Sequence, residues 1–268
     1  MAAESPCDYV NDVCGIARAA GRRILEVYER GFKVEHKEDR SPLTEADRAA
    51  HDVIVAGLEA LTPDIPVLSE ESAKAEYAAR ANWKRFWLVD PLDGTKEFIN
   101  RNGEFTVNIA LIEGGRALLG VVYVPVAQLI YHACAGHGAY KQQGEAEARA
   151  VRARRFDGGK PVVVASRSHA GPETEAFLKS LGEHDVVSMG SSLKLCLVAE
   201  GAADVYPRLG PTMEWDTAAA QCVVEVAGGS VTDLDGRPLV YNKADLHNPW
   251  FIVSGAGDYN WRRHLPPA

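Results

Sequence analysis

The hydrophobic period of this chain changes twice, and those changes constrain its fold more than any other feature of the sequence. Between residues 6 and 30, Tyr9, Val13, Ile16, Ala17, Ala20, Ile24, Val27 and Tyr28 recur close to every 3.6 residues, with Gly31 following as a stop signal. That spacing predicts a long helix with one buried face. A polar loop at 37–42 leads to Thr44, which can cap a second helix running to about Leu61 before Thr62-Pro63 ends it. Short apolar runs at 65–68, 85–89, 106–112, 118–124 and 129–133 then take over, separated by turn signals such as Glu113-Gly114-Gly115. Their close spacing predicts an antiparallel sheet. From 162 to 254 strands near 162–165, 185–188, 203–206, 230–232 and 251–254 alternate with helices near 172–181, 192–199 and 214–227. Such alternation predicts a mixed α/β layer.

A natural division falls in the connector 142–160, giving a half of helices plus antiparallel sheet, 1–155, and a mixed α/β half, 156–268. The connector holds Arg149, Arg152, Arg154 and Arg155, yet the whole chain has 29 Lys+Arg against 37 Asp+Glu, a net charge of −8. A nucleic-acid binder needs a concentrated basic face to release counterions, so these arginines are expected on a solvated face. Any anionic ligand must then be held by a few local groups. No run approaches 18 apolar residues and the start, MAAESPCDYV, lacks the pattern of a secretory signal, so the expectation is a cytoplasmic protein, free or peripheral at the inner membrane, with no membrane-spanning segment. The five cysteines are odd in number and form no C-x-x-C pair, which predicts free thiols without chemistry.

The chemistry concentrates in WLVDPLDGTKE at 87–97. An apolar strand ends in Asp90, Pro91 fixes the turn, and Asp93 lies three residues on, so two carboxylates and the Leu92 carbonyl can converge on one point as hard oxygen ligands. Asp93-Gly94-Thr95 then turns into a short helix whose free N–H groups can cradle a phosphate. A plain turn with an Asp cap would use the same residues. Glu70 and Glu71 follow another apolar run, and Asp216 opens the predicted 214–227 helix, where a carboxylate is comfortable without any metal. Bringing Glu70, Asp90, Asp93 and Asp216 together would be costly unless cations neutralise them. Two or more divalent ions would do so, and an all-oxygen set selects Mg²⁺ over zinc. The chemistry implied is metal-assisted phosphoester hydrolysis. Thr95 can offer a hydroxyl to the attacking water with Asp47 as its partner, although Thr44 with Asp47 also resembles a capping box.

These residues resemble the inositol monophosphatase superfamily of Mg²⁺-dependent, lithium-sensitive phosphatases. Its signature is W-x-[VI]-D-P-[IL]-D-G-T with a later W-D-x-A-[AG], as at Trp87 to Thr95 and Trp215 to Ala219. The segments 37–47, 68–71, 93–99, 103–110 and 190–194 are similar to the bacterial 3'(2'),5'-bisphosphate nucleotidase branch, and the likeness runs from about residue 8 to 255. The resemblance implies the layered αβαβα sandwich of the sugar phosphatases. It implies Mg²⁺ at Glu70, Asp90, Leu92, Asp93 and Asp216, and catalysis by Asp47, Thr95 and Glu70. Substrate contacts are implied at Glu70, Asp93, Gly94, Thr95, Lys96, Ser166, His169, Lys194 and Asp216. The implied reaction removes the 3'-phosphate of 3'-phosphoadenosine 5'-phosphate, and of its 5'-phosphosulfate analogue, in sulfur metabolism.

From the residues alone, His169 reads equally as a surface histidine beside a helix start and Lys194 as a solvated helix lysine. Inositol phosphates and fructose 1,6-bisphosphate remain alternative substrates, because the catalytic core is shared. Thr95-Lys96-Glu97-Phe98 departs from the Thr-x-Asn-Phe that sugar-phosphate enzymes more often carry. A non-catalytic regulatory protein on this fold is the alternative of another class. The expected partner is a small nucleotide bisphosphate, bound by a monomer or homodimer.

Overall fold

The computed structural model describes residues 5–30, 41–72, 76–166 and 171–266. Helix α1 (Val10–Glu29) buries Val13, Ala17, Ala20, Ile24, Val27 and Tyr28, one face at a spacing of three or four residues. It packs on α2 (Ser41–Leu61), which buries Ala46, Ala50, Ile54 and Leu58 at intervals of four. Thr44 is therefore inside a helix that begins three residues before it, and does not cap it. The greater part of the expected 37–42 loop lies outside the described residues.

The first sheet has seven strands in sequence order: β1 (Val67–Ser69), β2 (Arg85–Asp93), β3 (Thr106–Glu113), β4 (Arg116–Val124), β5 (Leu129–Cys134), β6 (Gly138–Gln143) and β7 (Arg149–Ala150). All neighbours are antiparallel except β1 and β2, which run parallel. The parallel edge departs from the all-antiparallel expectation because the connection from β1 to β2 returns through the short helix α3 (Tyr77–Arg80) rather than a hairpin. Side chains alternate along each strand. Trp87, Val89, Val107, Ile109, Leu111, Val121 and Tyr123 face α1 and α2, while Phe86, Leu88, Ala110, Ile112, Val122 and Tyr131 face the opposite way.

That opposite face meets α6 (Leu193–Ala199) and α7 (Glu214–Val226). Beyond them lies the second sheet, in the order β11-β12-β10-β8-β9, from β8 (Val162–Ser166), β9 (Asp185–Met189), β10 (Val205–Arg208), β11 (Ser230–Asp233) and β12 (Phe251–Ser254). Strand β8 is parallel to β9 and β10, whereas β12 is antiparallel to β10 and β11. Val164, Tyr206, Val231, Phe251 and Val253 join the same core as α6, α7 and the first sheet. Val163, Val205 and Ile252 turn outward onto Phe177 of α5 (Pro172–Leu181) and Trp261. The layers are thus α1 and α2, sheet, α6 and α7, sheet, α5: the αβαβα sandwich.

The tightest inter-layer approach is at Gly120 on β4. A Cβ there would lie 2.2 Å from the Ala219 carbonyl of α7 and 2.8 Å from Cys222 Cβ. In the connector, Arg154 grips Asp204 through two bonds of 2.6 Å, and Asp204 also accepts the Val162 N–H at 2.7 Å. This arginine of the basic stretch therefore fixes the start of β8. The free-thiol expectation is corrected for two cysteines: Cys7, just before α1, is bonded to Cys134 at the end of β5, with Cα atoms 5.5 Å apart. A sequence separation of 127 hid the pairing from the sequence, while Cys14, Cys196 and Cys222 are free.

The Gly120 contact predicts that Gly120→Ala, which must push α7 off the sheet, destabilises the protein by about 1–3 kcal/mol, as overpacking does. Urea denaturation monitored by circular dichroism checks this, and a midpoint unchanged at equal m-value would contradict the tight contact.

Candidate active site

The ends of β1 and β2 and the start of α7 open on one cleft of about 300 Å³. Strand β2 holds register with β3 as far as Asp90 opposite Asn108, then slips before Asp93 pairs with Thr106. Pro91 explains the slip, since it has no N–H for the ladder. The Leu92 N–H turns back onto Asp90 Oδ1 at 3.0 Å, which tightens the turn. Gly94 follows with φ +99°, and a Cβ on it would be 3.2 Å from Phe105 Cα and 3.3 Å from Ser191 Cβ. Both conformation and space demand glycine there. It starts α4 (Thr95–Ile99), whose first ladder bond is Phe98 N–H to the Gly94 carbonyl at 2.9 Å. The N–H groups of Thr95, Lys96 and Glu97 precede that bond and stand at the cleft wall.

Glu70, Asp90 and Asp216 converge so closely that one oxygen of each lies within 4.8 Å of the others. Asp93 belongs to the same group: its charge acts on Glu70, Asp90 and Asp216 alike. Burial first, and mutual repulsion second, push Glu70 and Asp216 up to about 7 and raise Asp90 well above the carboxylate range. Burial also raises Asp93, against the opposing pull of Lys194 and the Ser192 N–H. Asp47 of α2 adds its charge to the field at Asp90, and burial with the repulsion of Glu71 and Glu70 lifts it to about 8.

A set of carboxylates this close, gathered around the buried Asp90, fits a hard divalent cation, which removes the repulsion and finds only oxygen donors. No His or Cys joins the group among the described residues.

The supporting shell crosses between the two sheets. Asp93 Oδ2 accepts the Ser192 N–H at 2.6 Å, and the Ser192 hydroxyl lies 2.8 Å from Asn108 Oδ1 and 2.9 Å from Thr106 Oγ1. Asp216 accepts the Met213 N–H at 2.8 Å, so the helix-cap role and the cleft role coexist on one residue. Its neighbour Glu214 is fully buried and takes the N–H groups of Asn242 and Lys243 and the Lys243 ammonium. Glu214 therefore anchors a loop, while Asp216 faces the cleft. His51 lies 2.9 Å from the Ser69 hydroxyl, beside Glu70.

The sequence profile of the inositol monophosphatase family matches residues 8–253. The chain belongs to this family. It is 52% identical over 248 residues to the 3'(2'),5'-bisphosphate nucleotidase CysQ of Escherichia coli K12, covering 91% of this chain and 99% of the relative. To the protein of the same name from Haemophilus influenzae it is 37% identical over 255 residues, covering 94% and 95%. The crystal structure of CysQ from Bacteroides thetaiotaomicron superposes with a TM-score of 0.85 at 45% identity, covering 94% of this chain and 98% of that one.

In this member of the inositol monophosphatase family, Glu70, Asp90, Leu92, Asp93, Gly94, Thr95, Lys96, Ser166, Lys194 and Asp216 all line the cleft. His169 lies outside the described residues. Lys194 is not a solvated helix lysine: it is 8% exposed, its Nζ 5.8 Å from the centre of the Tyr206 ring, and burial lowers its pKa. It follows Ser191, a non-glycine residue at φ +47°, a strained conformation of the kind that collects at functional sites. Sequence reasoning missed Ser192, Asn108 and Arg208, which also lines the cleft. A signal existed for Asn108, a lone amide inside an apolar strand; Arg208 offered none.

The raised carboxylates set the pH dependence of the metal-free protein. Glu70 and Asp216 rise from ordinary values near 4 to about 7, so between those limits the folded chain binds more protons than the unfolded one, and stability falls as pH rises. In chelator the melting temperature is expected to drop from pH 5 to pH 8, and Mg²⁺ is expected to raise it more at pH 8 than at pH 5. Differential scanning calorimetry checks both trends.

Proposed function

We propose that this chain is a Mg²⁺-dependent 3'(2'),5'-bisphosphate nucleotidase, which hydrolyses the 3'-phosphate of 3'-phosphoadenosine 5'-phosphate to give AMP and phosphate. The observation that carries the reading is the convergence of Glu70, Asp90 and Asp216 beside the Gly94 turn. The 52% identity to a nucleotidase over nearly the whole chain supports this substrate class over a sugar phosphate.

Glu70, Asp90, the Leu92 carbonyl, Asp93 and Asp216 would hold the Mg²⁺ ions. When bound, such ions supply an acidified water and a countercharge for the leaving oxygen. The chain's own groups do the rest. The N–H groups at 94–96 and the Lys96 ammonium hold the scissile phosphate at the start of α4. The Thr95 hydroxyl orients the attacking water, with Glu70 beside it. Asp47, raised to about 8, is poised to hold or release a proton near neutral pH, where a general base is most effective. Ser166 meets the substrate from the end of β8 and Lys194 from the first turn of α6.

No helix among the described residues is long and apolar enough to cross a membrane. We place the enzyme in the cytoplasm, as a monomer or homodimer, where the Cys7–Cys134 bond would be an exception to the usual reduced state of thiols.

Phosphate release is to be compared for 3'-phosphoadenosine 5'-phosphate, inositol 1-phosphate and fructose 1,6-bisphosphate, with Mg²⁺ and with chelator. The nucleotide is expected to have the highest kcat/KM, abolished by chelator; preference for a sugar phosphate would overturn the substrate and keep the site. Asp93→Asn is expected to lower kcat by about a thousandfold, the scale on which charge stabilisation is lost, with the circular dichroism spectrum retained. Thr95→Ala is expected to cost about a hundredfold or more in rate with little change in the Mg²⁺ concentration for half-activity. An unchanged rate removes Thr95 from the mechanism.

A further inference from the structure

Helix α2 brings Asp47 towards the metal-binding carboxylates against a force that pushes it away. Glu70 and Glu71, in the 3₁₀ turn Glu70–Ser72 that follows β1, both repel Asp47. Apolar packing opposes that force weakly at this point, because the buried side chains between Thr44 and His51 are two alanines, Ala46 and Ala50. The hold follows the apolar area removed from water, and the larger Ile54 and Leu58 come one and two turns later. Just past the far end of the helix, the Trp87 indole N–H donates to the Thr62 hydroxyl at 2.8 Å. Asp47 is therefore carried by the half of α2 with the smaller apolar hold.

One polar contact secures that half. His51 Nδ1 lies 2.9 Å from Ser69 Oγ. His51 follows Asp47 by four residues, one turn along the same face of α2. Ser69 is fully buried and its backbone is held by the parallel ladder, where it pairs with Val89. The next residues along the chain are Glu70 after Ser69 and Asp90 after Val89. Ser69 is thus a fixed point beside the carboxylates, and His51 hangs the helix on it. Among the described residues, the only other hydrogen bond made by an α2 side chain joins Glu45 to Arg30 at 2.9 Å. Both of those side chains are exposed, so their ion pair contributes little.

We propose that His51, through its hydrogen bond to Ser69, is a positioning residue that holds Asp47 at its working distance from Glu70 and the attacking water. This rests on the metal-assisted phosphatase reading and on the part Asp47 plays in it, and not on the choice among phosphate esters. His51 acts through Asp47 and not on the substrate. The atom that matters is Nδ1. Asparagine places a polar atom where Nδ1 stands, whereas glutamine places one where Nε2 stands, so the two replacements separate this hydrogen bond from bulk or polarity.

The test measures kcat, KM for 3'-phosphoadenosine 5'-phosphate and the Mg²⁺ concentration for half-activity in the wild type, His51→Ala, His51→Asn, His51→Gln, Ser69→Ala and the double alanine variant. His51→Ala and Ser69→Ala are each expected to lose about tenfold in kcat, the scale of one neutral hydrogen bond. KM and the Mg²⁺ requirement should stay within about twofold, since the phosphate cradle and the metal ligands are untouched. The double variant should lose no more than either single one, because both remove the same contact. His51→Asn should recover most of the rate and His51→Gln should not. In calorimetry without substrate, Mg²⁺ should raise the melting temperature of His51→Ala as much as it raises that of the wild type. An unchanged kcat, losses that add in the double variant, or equal recovery by Asn and Gln would overturn the proposal. So would a kcat loss matched by a weaker response to Mg²⁺, which would mark a general loosening of the site. Failure of the underlying reading looks different: a wild type without Mg²⁺-dependent phosphate release sinks the phosphatase assignment, and an Asp47→Asn variant at full rate sinks that of Asp47, and the proposal with it.

Discussion

Repulsion among converging carboxylates is the constraint on which the rest of this structure depends. Glu70, Asp90, Asp93 and Asp216 gather around the buried Asp90, closer than four negative charges tolerate, and their raised pKa values express that conflict. A fold that merely sought stability would spread them into solvent. This one fixes them from three directions, at the ends of two strands and the first turn of a helix, so that none can swing away. Bound protons at low pH, or cations at higher pH, relieve that repulsion, which makes affinity for cations a consequence of the packing.

The packing that enforces this is apolar and large. Seven strands present alternate side chains to α1 and α2 on one face and to α6 and α7 on the other, so β2 is trapped between two cores. Its end can then carry a proline, a register slip and a left-handed glycine without unravelling. The Ser192 N–H on Asp93 ties that strained end to the α6 turn, and through Asn108 and Thr106 back to β3. A change at Ser192 would therefore be felt in the orientation of Asp93.

Much of this is written locally in the sequence and some of it is not. The change from a 3.6-residue to a two-residue period located the helices and most strands within a few residues, because burial on one face dictates period. Asp90 to Thr95 could be read as a site since Pro, Gly and two carboxylates leave few other uses for so short a segment. The parallel pairing of β1 was not readable, because direction depends on the path of the connecting chain and leaves no mark on the strand. Neither was the Cys7–Cys134 bond, formed across 127 residues. The burial of Lys194 was not readable either, since it comes from Tyr206 and the second sheet, elements distant in sequence.

That asymmetry follows from what each half of the cleft must do. Metal and scissile phosphate need several groups in fixed mutual positions, and one tight turn can supply most of them, so the chemistry is compact in sequence. Discrimination among phosphate esters needs only a charge or hydroxyl at the right distance from the turn, and any strand end facing the cleft can provide it. Ser166 at the end of β8 and Arg208 at the end of β10 stand at the cleft in this way, brought there by the parallel pairing of their strands.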